Sequence, residues 1–214
     1  KVQAALLEVM QEHQVTIGGE TFLTPEPYLV LATQNPIESE GTYPLPEAQT
    51  DRFLFKLVVG YPSREDEASV VARSLERAAP VRELLQPADL LRHRVAAEQV
   101  FVDGAIIRYA VALADATRFP AEHGLAELAG YIEFGASPRG PIGLIQAARA
   151  LALLRGRGHV VPQDVHDLAL DVLRHRIVLR YEALAEDVTA DAVITRVLEA
   201  VQMPSQPMRA THPR

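Results

Sequence analysis

Hydrophobic and polar residues follow two different patterns along this chain, and the change comes near Tyr61-Pro62-Ser63. Before that point the apolar residues form short runs, which are typical of strands. After it they recur at the three- and four-residue spacing of amphipathic helices. The patterns predict an α/β part over residues 1–62, an all-α part over residues 63–202 and a flexible tail over residues 203–214.

The first part is predicted to contain a helix, a hairpin and two strands. The helix spans about Val2 to Glu12. Gly18-Gly19 lies between β-branched residues and indicates a two-residue hairpin turn, because primed turns need positive φ at their centre. The runs from Tyr28 to Asn35 and from Phe53 to Val59 are predicted strands, and the first of them has the composition of a buried parallel strand.

The second part is predicted to be helical throughout. Ser63 can cap a helix whose first turn is acidic, which suits the positive end of a helix. Further helices are predicted to begin at or near Pro87, Asp103, Ser137, Pro162 and Thr189. The expected fold is therefore α/β followed by an all-α domain, and mainly helical overall.

Composition narrows the class of protein. The chain has 214 residues and no cysteine, so neither a disulfide frame nor thiolate chemistry is available. No stretch has the pattern of a signal peptide or a membrane span, so we expect a cytoplasmic protein. The net charge is −7, but the first 62 residues carry −5 and residues 136–214 carry +2. Only the last third could therefore offer a basic face to an anion.

Asn35 ends the first apolar run and precedes Pro36. Ligands of open α/β sheets bind beyond the carboxyl ends of the strands, and an amide there could orient a water near a γ-phosphate. The alternative is an Asn-Pro turn that only ends the strand.

Two arginines are candidates for contacts with phosphate. Arg52 precedes the second apolar run and could reach a phosphate, or it could form only a surface pair with Asp51. Arg139 falls in the first turn of a helix that begins at Ser137-Pro138, where a helix end and a guanidinium together form an anion site. An exposed, solvated Arg139 is the alternative.

Other polar groups have weaker patterns. His166 and His175 lack the spacing of a metal site and are predicted to be residues on the polar faces of helices, so no metal ligand is expected. The cluster of Arg174, Arg176 and Arg180 is interpreted as a contact surface for another subunit or a client protein, since few aromatic residues accompany it and the chain is acidic.

Six segments in order closely resemble the MoxR family of AAA+ ATPases. They are residues 1–12, 15–21, 32–38, 41–49, 51–53 and 135–139. The match covers nearly the whole chain and is densest before residue 62. It implies the end of an AAA+ P-loop core with parallel strands and a β-hairpin insertion, followed by an α-helical lid.

The resemblance also implies roles and partners. Asn35 matches the sensor 1 residue, Arg52 the arginine finger that reaches the ATP of a neighbouring subunit, and Arg139 the sensor 2 arginine of the lid. The Gly18-Gly19 hairpin resembles the insertion that precedes sensor 1. The complete protein is expected to use ATP and Mg²⁺, to form a homo-oligomeric ring such as a hexamer, and to remodel client proteins, often with von Willebrand factor A (VWA) domains.

The chain departs from the family pattern in one respect. A P-loop needs a lysine after a glycine, whereas Lys1 opens the chain and Lys56 follows Phe55. The acidic Walker B strand is also missing. We therefore expect that this chain alone neither binds ATP tightly nor hydrolyses it.

Two other functions are alternatives to a remodelling ATPase. The first is a non-catalytic binding module. The second is a nucleic-acid motor, which is disfavoured by the charge of −5 on the part that carries the hairpin.

Overall fold

The structure is a computed structural model that describes residues 9–10, 12–34, 45–76 and 80–205. Asn35 therefore lies outside the described residues, as does most of the predicted helix from Val2 to Glu12. Of that helix, residues 9, 10 and 12 are described and are helical. Within the described ranges, no helix has the length and apolar content that crossing a bilayer requires.

The predicted hairpin is confirmed. Strand β1 (Gln14–Ile17) pairs in antiparallel register with β2 (Glu20–Leu23). Gly18 and Gly19 form the turn, with φ of 62° and 90°. Both values lie in the left-handed region that glycine enters without steric cost, so the sequence encodes this turn directly.

The two predicted strands do not form in the described part of the chain. Residues 28–34 and 53–63 contain no strand, and several of their apolar side chains are exposed, Leu31 at 84% and Val59 at 91%. A strand is stable when neighbouring strands accept and donate its backbone hydrogen bonds. No described strand lies beside either segment, so the apolar character of these runs does not lead to a sheet here.

Eight α-helices occur among the described residues, and the protein is mainly helical as expected. They are α1 (Glu47–Thr50), α2 (Arg64–Ser74), α3 (Pro87–Glu98), α4 (Gly104–Arg118), α5 (Arg139–Leu154), α6 (Pro162–Leu173), α7 (Tyr181–Ala185) and α8 (Ala190–Ala200).

The predicted starts of the helices agree with these bounds. The Ser63 hydroxyl accepts from the Asp66 amide at 3.1 Å, and the Asp103 carboxylate accepts from the Ala105 amide at 2.7 Å. Thr189 caps α8 in the same way. Helix α5 begins two residues after the predicted Ser137, because the side chain of Ser137 caps the helix from outside it.

Two short strands and two 3₁₀ turns were not predicted. Strand β3 (Ile132–Phe134) pairs with β4 (Val178–Leu179) in an antiparallel and irregular register. The 3₁₀ turns span Pro120–His123 and Ala126–Gly130, between α4 and β3. Such short elements are determined by contacts between distant residues and have no periodicity of their own.

Helices α4, α5, α6 and α8 enclose a single hydrophobic core. All members of this cluster lie between Val100 and Val197, and Leu113, Leu144 and Ile194 are completely buried. Burying one such side chain contributes about 1.5 to 3 kcal/mol. The part of the chain from residue 100 to about residue 201 thus contains its own core.

A buried ion cluster fixes the connection between α5 and α6. The Asp164 carboxylate is fully buried and accepts from Arg155, from Arg157 and from the amide of Val161. Burial alone would raise the pKa of Asp164, but the hydrogen bonds from Arg157 and Val161 outweigh it and hold the pKa below its usual range. The Asp164 carboxylate has no exposed surface for a ligand. We therefore interpret this cluster as part of the fold and not as a binding site.

Candidate functional site

Asp51 connects the turn after α1 to the helical part of the protein. Its side chain is 14% exposed. The Ser137 hydroxyl lies 3.0 and 2.9 Å from the two carboxylate oxygens, and Arg139 Nη1 donates to Oδ2 at 3.2 Å. Arg176 Nε lies 3.1 Å from Oδ1, as a charge contact outside hydrogen-bonding angles. We call Asp51, Ser137, Arg139 and Arg176 the Asp51 junction.

Arg176 binds the backbone around Asp51 as well as its side chain. Its side chain is 3% exposed and donates to the carbonyls of Asp51 at 3.1 Å, Phe53 at 2.7 Å and Leu54 at 3.2 Å, and also to that of Val172 in the preceding helix α6. Burial lowers the pKa of Arg176 and the nearby Asp51 carboxylate opposes this shift. An arginine titrates so far above neutrality that the group remains a cation, so Arg176 holds residues 51–54 against the end of α6.

Arg174 contacts the same segment two residues further along, at Lys56. Its Nη1 donates to the Lys56 carbonyl at 2.6 Å, and its Nε donates to Asp191 at 2.8 Å. The Lys56 amide in turn donates to the Asp171 carbonyl at 2.9 Å. Residues 51–56 are therefore attached along their length to α6.

The interpretation of the arginine cluster as an exposed contact surface is wrong for two of its three members. The side chains of Arg174 and Arg176 are 10% and 3% exposed. Most of their donors are already bonded to carbonyls or carboxylates within the chain. Arg180 lies at an exposed position, and its Nε donates to the Ile132 carbonyl at 3.0 Å. The sequence could not reveal the carbonyl partners outside α6, because they lie about 50 to 125 residues away.

His175 lies in the same contact and not on a polar face, so that prediction is also wrong. Its Nε2 lies 2.9 Å from the Phe53 carbonyl. Burial lowers the pKa of His175 to about 4, and the positive charge of Arg176 acts in the same direction. The ring is therefore neutral at pH 7, and the same Nε2 also lies 2.9 Å from Arg176 Nη1. His166, by contrast, is partly exposed on α6.

Arg52 follows Asp51 but does not pair with it. Arg52 Nε donates to the Ala48 carbonyl at 3.3 Å, and the described ion pairs of Asp51 are those with Arg139 and Arg176. The Nη1 atom of Arg52 is buried and has no hydrogen-bond partner among the described residues. A buried donor without a partner is costly, so the tip of Arg52 is suited to an additional acceptor.

The loop that presents Arg139 is fixed by the end of α4. A Cβ at Gly135 would lie 2.5 Å from the Thr117 carbonyl oxygen, so only glycine fits this close approach. The Ala136 amide donates to Thr117 Oγ1 at 2.9 Å, and Arg118 Nε donates to the Ala136 carbonyl at 2.6 Å. These contacts hold the start of α5 in place.

Arg139 lies in the first turn of α5, as predicted. The Ser137 hydroxyl accepts from its amide at 3.1 Å. The side chain is 51% exposed, and Asp51 is the only acid that pairs with it among the described residues. Together with the positive end of a 16-residue helix, this guanidinium could bind an anion such as a phosphate.

The structure thus connects two of the three candidate residues through Asp51. Asp51 is adjacent to Arg52 in sequence and bonds to Arg139 in space, whereas Asn35 is not described. Within the described ranges, no group of three or more histidine or acidic side chains could hold a metal ion. Sequence reasoning treated Asp51 only as a possible surface partner of Arg52 and missed its bonds to Ser137 and Arg176.

Two family models match the chain. The model described as ATPase family associated with various cellular activities (AAA) matches residues 1–55. The model described as AAA lid domain matches residues 127–197. The second range includes Ser137, Arg139 and Arg176, and the first includes Asp51 and Arg52.

Relatives and solved structures extend over nearly the whole chain. Chaperone MoxR1 of Mycobacterium tuberculosis is 53% identical over 204 residues, which are 95% of this chain and 54% of that protein. Protein MoxR of Paracoccus denitrificans is 36% identical over 84% of this chain and 56% of its own length. A crystallised candidate ATPase from Cytophaga hutchinsonii has a TM-score of 0.90 and 44% identity, over 95% of this chain and 62% of that one. The chain therefore spans little more than half of the relatives that it matches.

Proposed function

Because this chain belongs to the MoxR family of AAA+ ATPases, we propose that it provides the arginine finger and the lid of a ring-forming ATPase. In this proposal residues 1–62 are the end of the AAA+ core, residues 63–202 are the lid and residues 203–214 are a flexible tail. ATP hydrolysis in the complete ring would drive the remodelling of client proteins. The name of the relative Chaperone MoxR1 supports a chaperone-like role.

The observation that carries the proposal is the Asp51 junction. An arginine finger and a sensor 2 arginine act on phosphates, so both must be held by rigid neighbours with their guanidinium groups accessible. Arg139 is half-exposed and fixed by Ser137 and Asp51. Arg52 is partly exposed and has one buried donor, Nη1, without a partner among the described residues. Positioned cations stabilise the charge of phosphoryl transfer.

We assign one role to each of the three polar residues. Arg139 would contact a phosphate of the ATP bound to its own subunit, and Arg52 would reach the ATP of the neighbouring subunit. Asn35 would orient the attacking water through its amide. The chain's own part in the reaction is then to position cations and a water.

The residues present fit a polyphosphate better than they fit a magnesium ion. Arg52 and Arg139 are suited to phosphate oxygens, whereas the sequence contains no Gly-Lys-Ser/Thr loop. When bound, Mg²⁺ neutralises charge on the phosphates. The P-loop and the magnesium ligands would come from the part of the ATPase that this chain does not match in its relatives. We therefore propose that the chain alone is inactive.

The exposed apolar runs also support this arrangement. Leu29 and Leu31 in the first run, and Val58 and Val59 in the second, are exposed although parallel strands of this composition are normally buried on both faces. We propose that both segments are strands in the complete AAA+ core, where further strands pair with them.

Partners and location follow from the family and are proposed on that basis. A homo-oligomeric ring, such as a hexamer, is needed for an arginine finger to act between subunits. VWA-domain proteins are the proposed clients, and the cytoplasm is the proposed location. Nucleic acid is a less favoured partner, because the residues up to 62 carry a charge of −5.

The test uses the full-length protein that contains this chain. Arg52→Ala should bind ATP as the wild type does, form the same ring and lose turnover by about 10³-fold. Arg52→Lys should remain poorly active because an ammonium lacks the planar fork of a guanidinium. Asn35→Ala should slow hydrolysis while ATP binding stays largely intact.

Arg64→Ala, at an exposed position at the start of α2, is the matched control and should retain full turnover. Wild-type turnover by Arg52→Ala would refute the finger assignment. The 214-residue chain should give no ATP-binding isotherm in the micromolar range, and such an isotherm would refute its proposed inactivity. Ring assembly is measured by light scattering, and turnover by phosphate release.

A further inference from the structure

Asp51 holds together segments that are far apart in the sequence. Its carboxylate bonds to Ser137 and Arg139 at the start of α5 and contacts Arg176 after α6. The residue that follows it is Arg52. One carboxylate therefore connects the turn that carries one candidate phosphate ligand to the loop that carries the other.

The contacts of Asp51 differ in how readily they can be broken. Arg176 is 3% exposed, and the Ser137 hydroxyl lies within 3.0 Å of both carboxylate oxygens. Arg139, in contrast, is 51% exposed and makes one hydrogen bond of 3.2 Å. A half-exposed ion pair is weak, so Arg139 can leave Asp51 while Ser137 and Arg176 keep the turn attached.

We propose that Asp51 is a positioning residue that couples the two arginines within one subunit. Arg139 pairs with Asp51 when no nucleotide is bound and transfers to a phosphate when ATP binds. The turn that bears Arg52 remains fixed to the same loop through Ser137 and Arg176. Asp51 thereby links the loop that contacts the subunit's own nucleotide to the finger that the subunit offers to its neighbour. This inference rests on the proposed function.

Electrostatics favours this exchange. The triphosphate of ATP carries more negative charge than one carboxylate and attracts a guanidinium more strongly. After Arg139 has left, Asp51 is still balanced by the buried cation Arg176. The Asp51 carboxylate therefore always has a cation beside it. An unpaired carboxylate that is only 14% exposed would be costly.

The test measures ATP affinity, KM and kcat of the full-length protein. Asp51→Asn keeps the size of the side chain and an acceptor for Ser137, but removes the charge that attracts both arginines. We expect kcat to fall about tenfold or more because Asp51 positions the finger. The Kd for ATP should change by less than about threefold, because the half-exposed pair of Asp51 with Arg139 competes only weakly with ATP. Ser137→Ala removes the hydroxyl bonds to Asp51 and to the Arg139 amide but keeps the ion pairs, and it should lower kcat by about threefold to tenfold.

Glu47→Gln is the matched control, since this exposed acid lies on α1, one helical turn before Asp51. It should leave kcat unchanged. The decisive measurement is a double-variant cycle in the Arg52→Lys background. If Asp51 acts through Arg52, then Asp51→Asn should cause little further loss there, whereas two independent roles would give losses that multiply.

The outcomes separate the two proposals. If Arg52→Ala retains turnover, the proposed function itself has failed. If Arg52→Ala is inactive but Asp51→Asn and Ser137→Ala both retain wild-type kcat, only the coupling is overturned. Multiplicative losses in the cycle also overturn it. Should Asp51→Asn fail to assemble, the result with Ser137→Ala decides, because that variant keeps the ion pairs.

Discussion

Similar apolar residues are exposed in the described residues before 63, here called the front of the chain, and buried in the helical part that follows. Leu31 and Val59 are 84% and 91% exposed, whereas Leu113 and Leu144 are completely buried. All four lie in apolar sequence patterns that predict burial. Burial in this chain therefore depends on whether a segment finds neighbours to pack against, and hydrophobicity alone does not decide it.

The reason lies in the backbone. A helix satisfies its internal hydrogen bonds by itself and needs other elements only to cover its apolar face. A strand needs a second strand for its hydrogen bonds and a further layer for its side chains. Helices α4, α5, α6 and α8 cover each other's apolar faces. Residues 28–34 and 53–63 have no described strand beside them.

The largest difference should appear on truncating a leucine in each part of the 214-residue chain. Leu113→Ala should lower the free energy of unfolding by about 3 to 5 kcal/mol, because it leaves a cavity in a closed core. Leu31→Ala should change it by less than about 0.5 kcal/mol. Urea denaturation followed by circular dichroism measures both. Equal losses in the two variants would mean that the front of the chain has a core of its own.

Glycine substitutions sharpen the comparison with a smaller effect. Gly135→Ala should cost about 2 to 3 kcal/mol, because its Cβ would lie 2.5 Å from the Thr117 carbonyl oxygen and the loop would have to shift. Gly60→Ala is the control, since nothing lies within 4 Å of a Cβ there. Thermal unfolding of the two variants gives the difference. A Tm for Gly135→Ala equal to that of Gly60→Ala would contradict the rigid packing of this loop.

The sequence predicted the local features of the fold well. Gly18-Gly19 specifies its turn through positive φ, and Ser63, Asp103 and Thr189 cap the helices that they were expected to cap. Each of these depends on residues within three positions of one another. Local signals of this kind are present in the sequence itself.

The candidate site was only half predictable, because its bonds are long-range. Arg52 and Arg139 stood out through their positions beside predicted elements and through resemblance to a family. The role of Arg176 had no such signal, since its partners Asp51 and Phe53 lie more than 120 residues away. The charged run of residues 174–176 would usually lie on a solvated surface. It is buried here because backbone carbonyls of residues 51–56 accept its hydrogen bonds.

Acidification should loosen the contact between the two parts. His175 is neutral in the folded protein, with its pKa lowered to about 4 by burial, whereas an unfolded histidine titrates near the ordinary value of 6.5. Between these two values the unfolded state binds the extra proton, so stability is fully present above pH 6.5 and falls as pH drops toward 4. The loss from this group should be on the order of 1 to 2 kcal/mol after allowance for its partial exposure.

Urea denaturation of the 214-residue chain at several pH values tests this effect. His175→Gln keeps a donor for the Phe53 carbonyl but cannot gain a proton, so its stability should depend less steeply on pH between 4 and 6.5. His93→Gln, at an exposed position on α3, is the control and should keep the wild-type slope. If His175→Gln has the wild-type slope, then other groups must cause the acid sensitivity of the fold.

The smallest effect is expected for the ion pair between Glu26, which follows the hairpin, and α3. Arg94 Nη2 lies 2.8 Å from Glu26 Oε2, and both side chains are more than half exposed. Solvent screens such a pair, so Arg94→Ala should change the free energy of unfolding by less than about 0.5 kcal/mol. Chemical denaturation at low and high salt measures this, with Arg94→Lys as the charge-conserving control. A loss above about 2 kcal/mol would show that this pair attaches the front of the chain firmly to the helices. The contacts of Arg174, His175 and Arg176 with residues 51–56 would then not be the principal connection between the two parts.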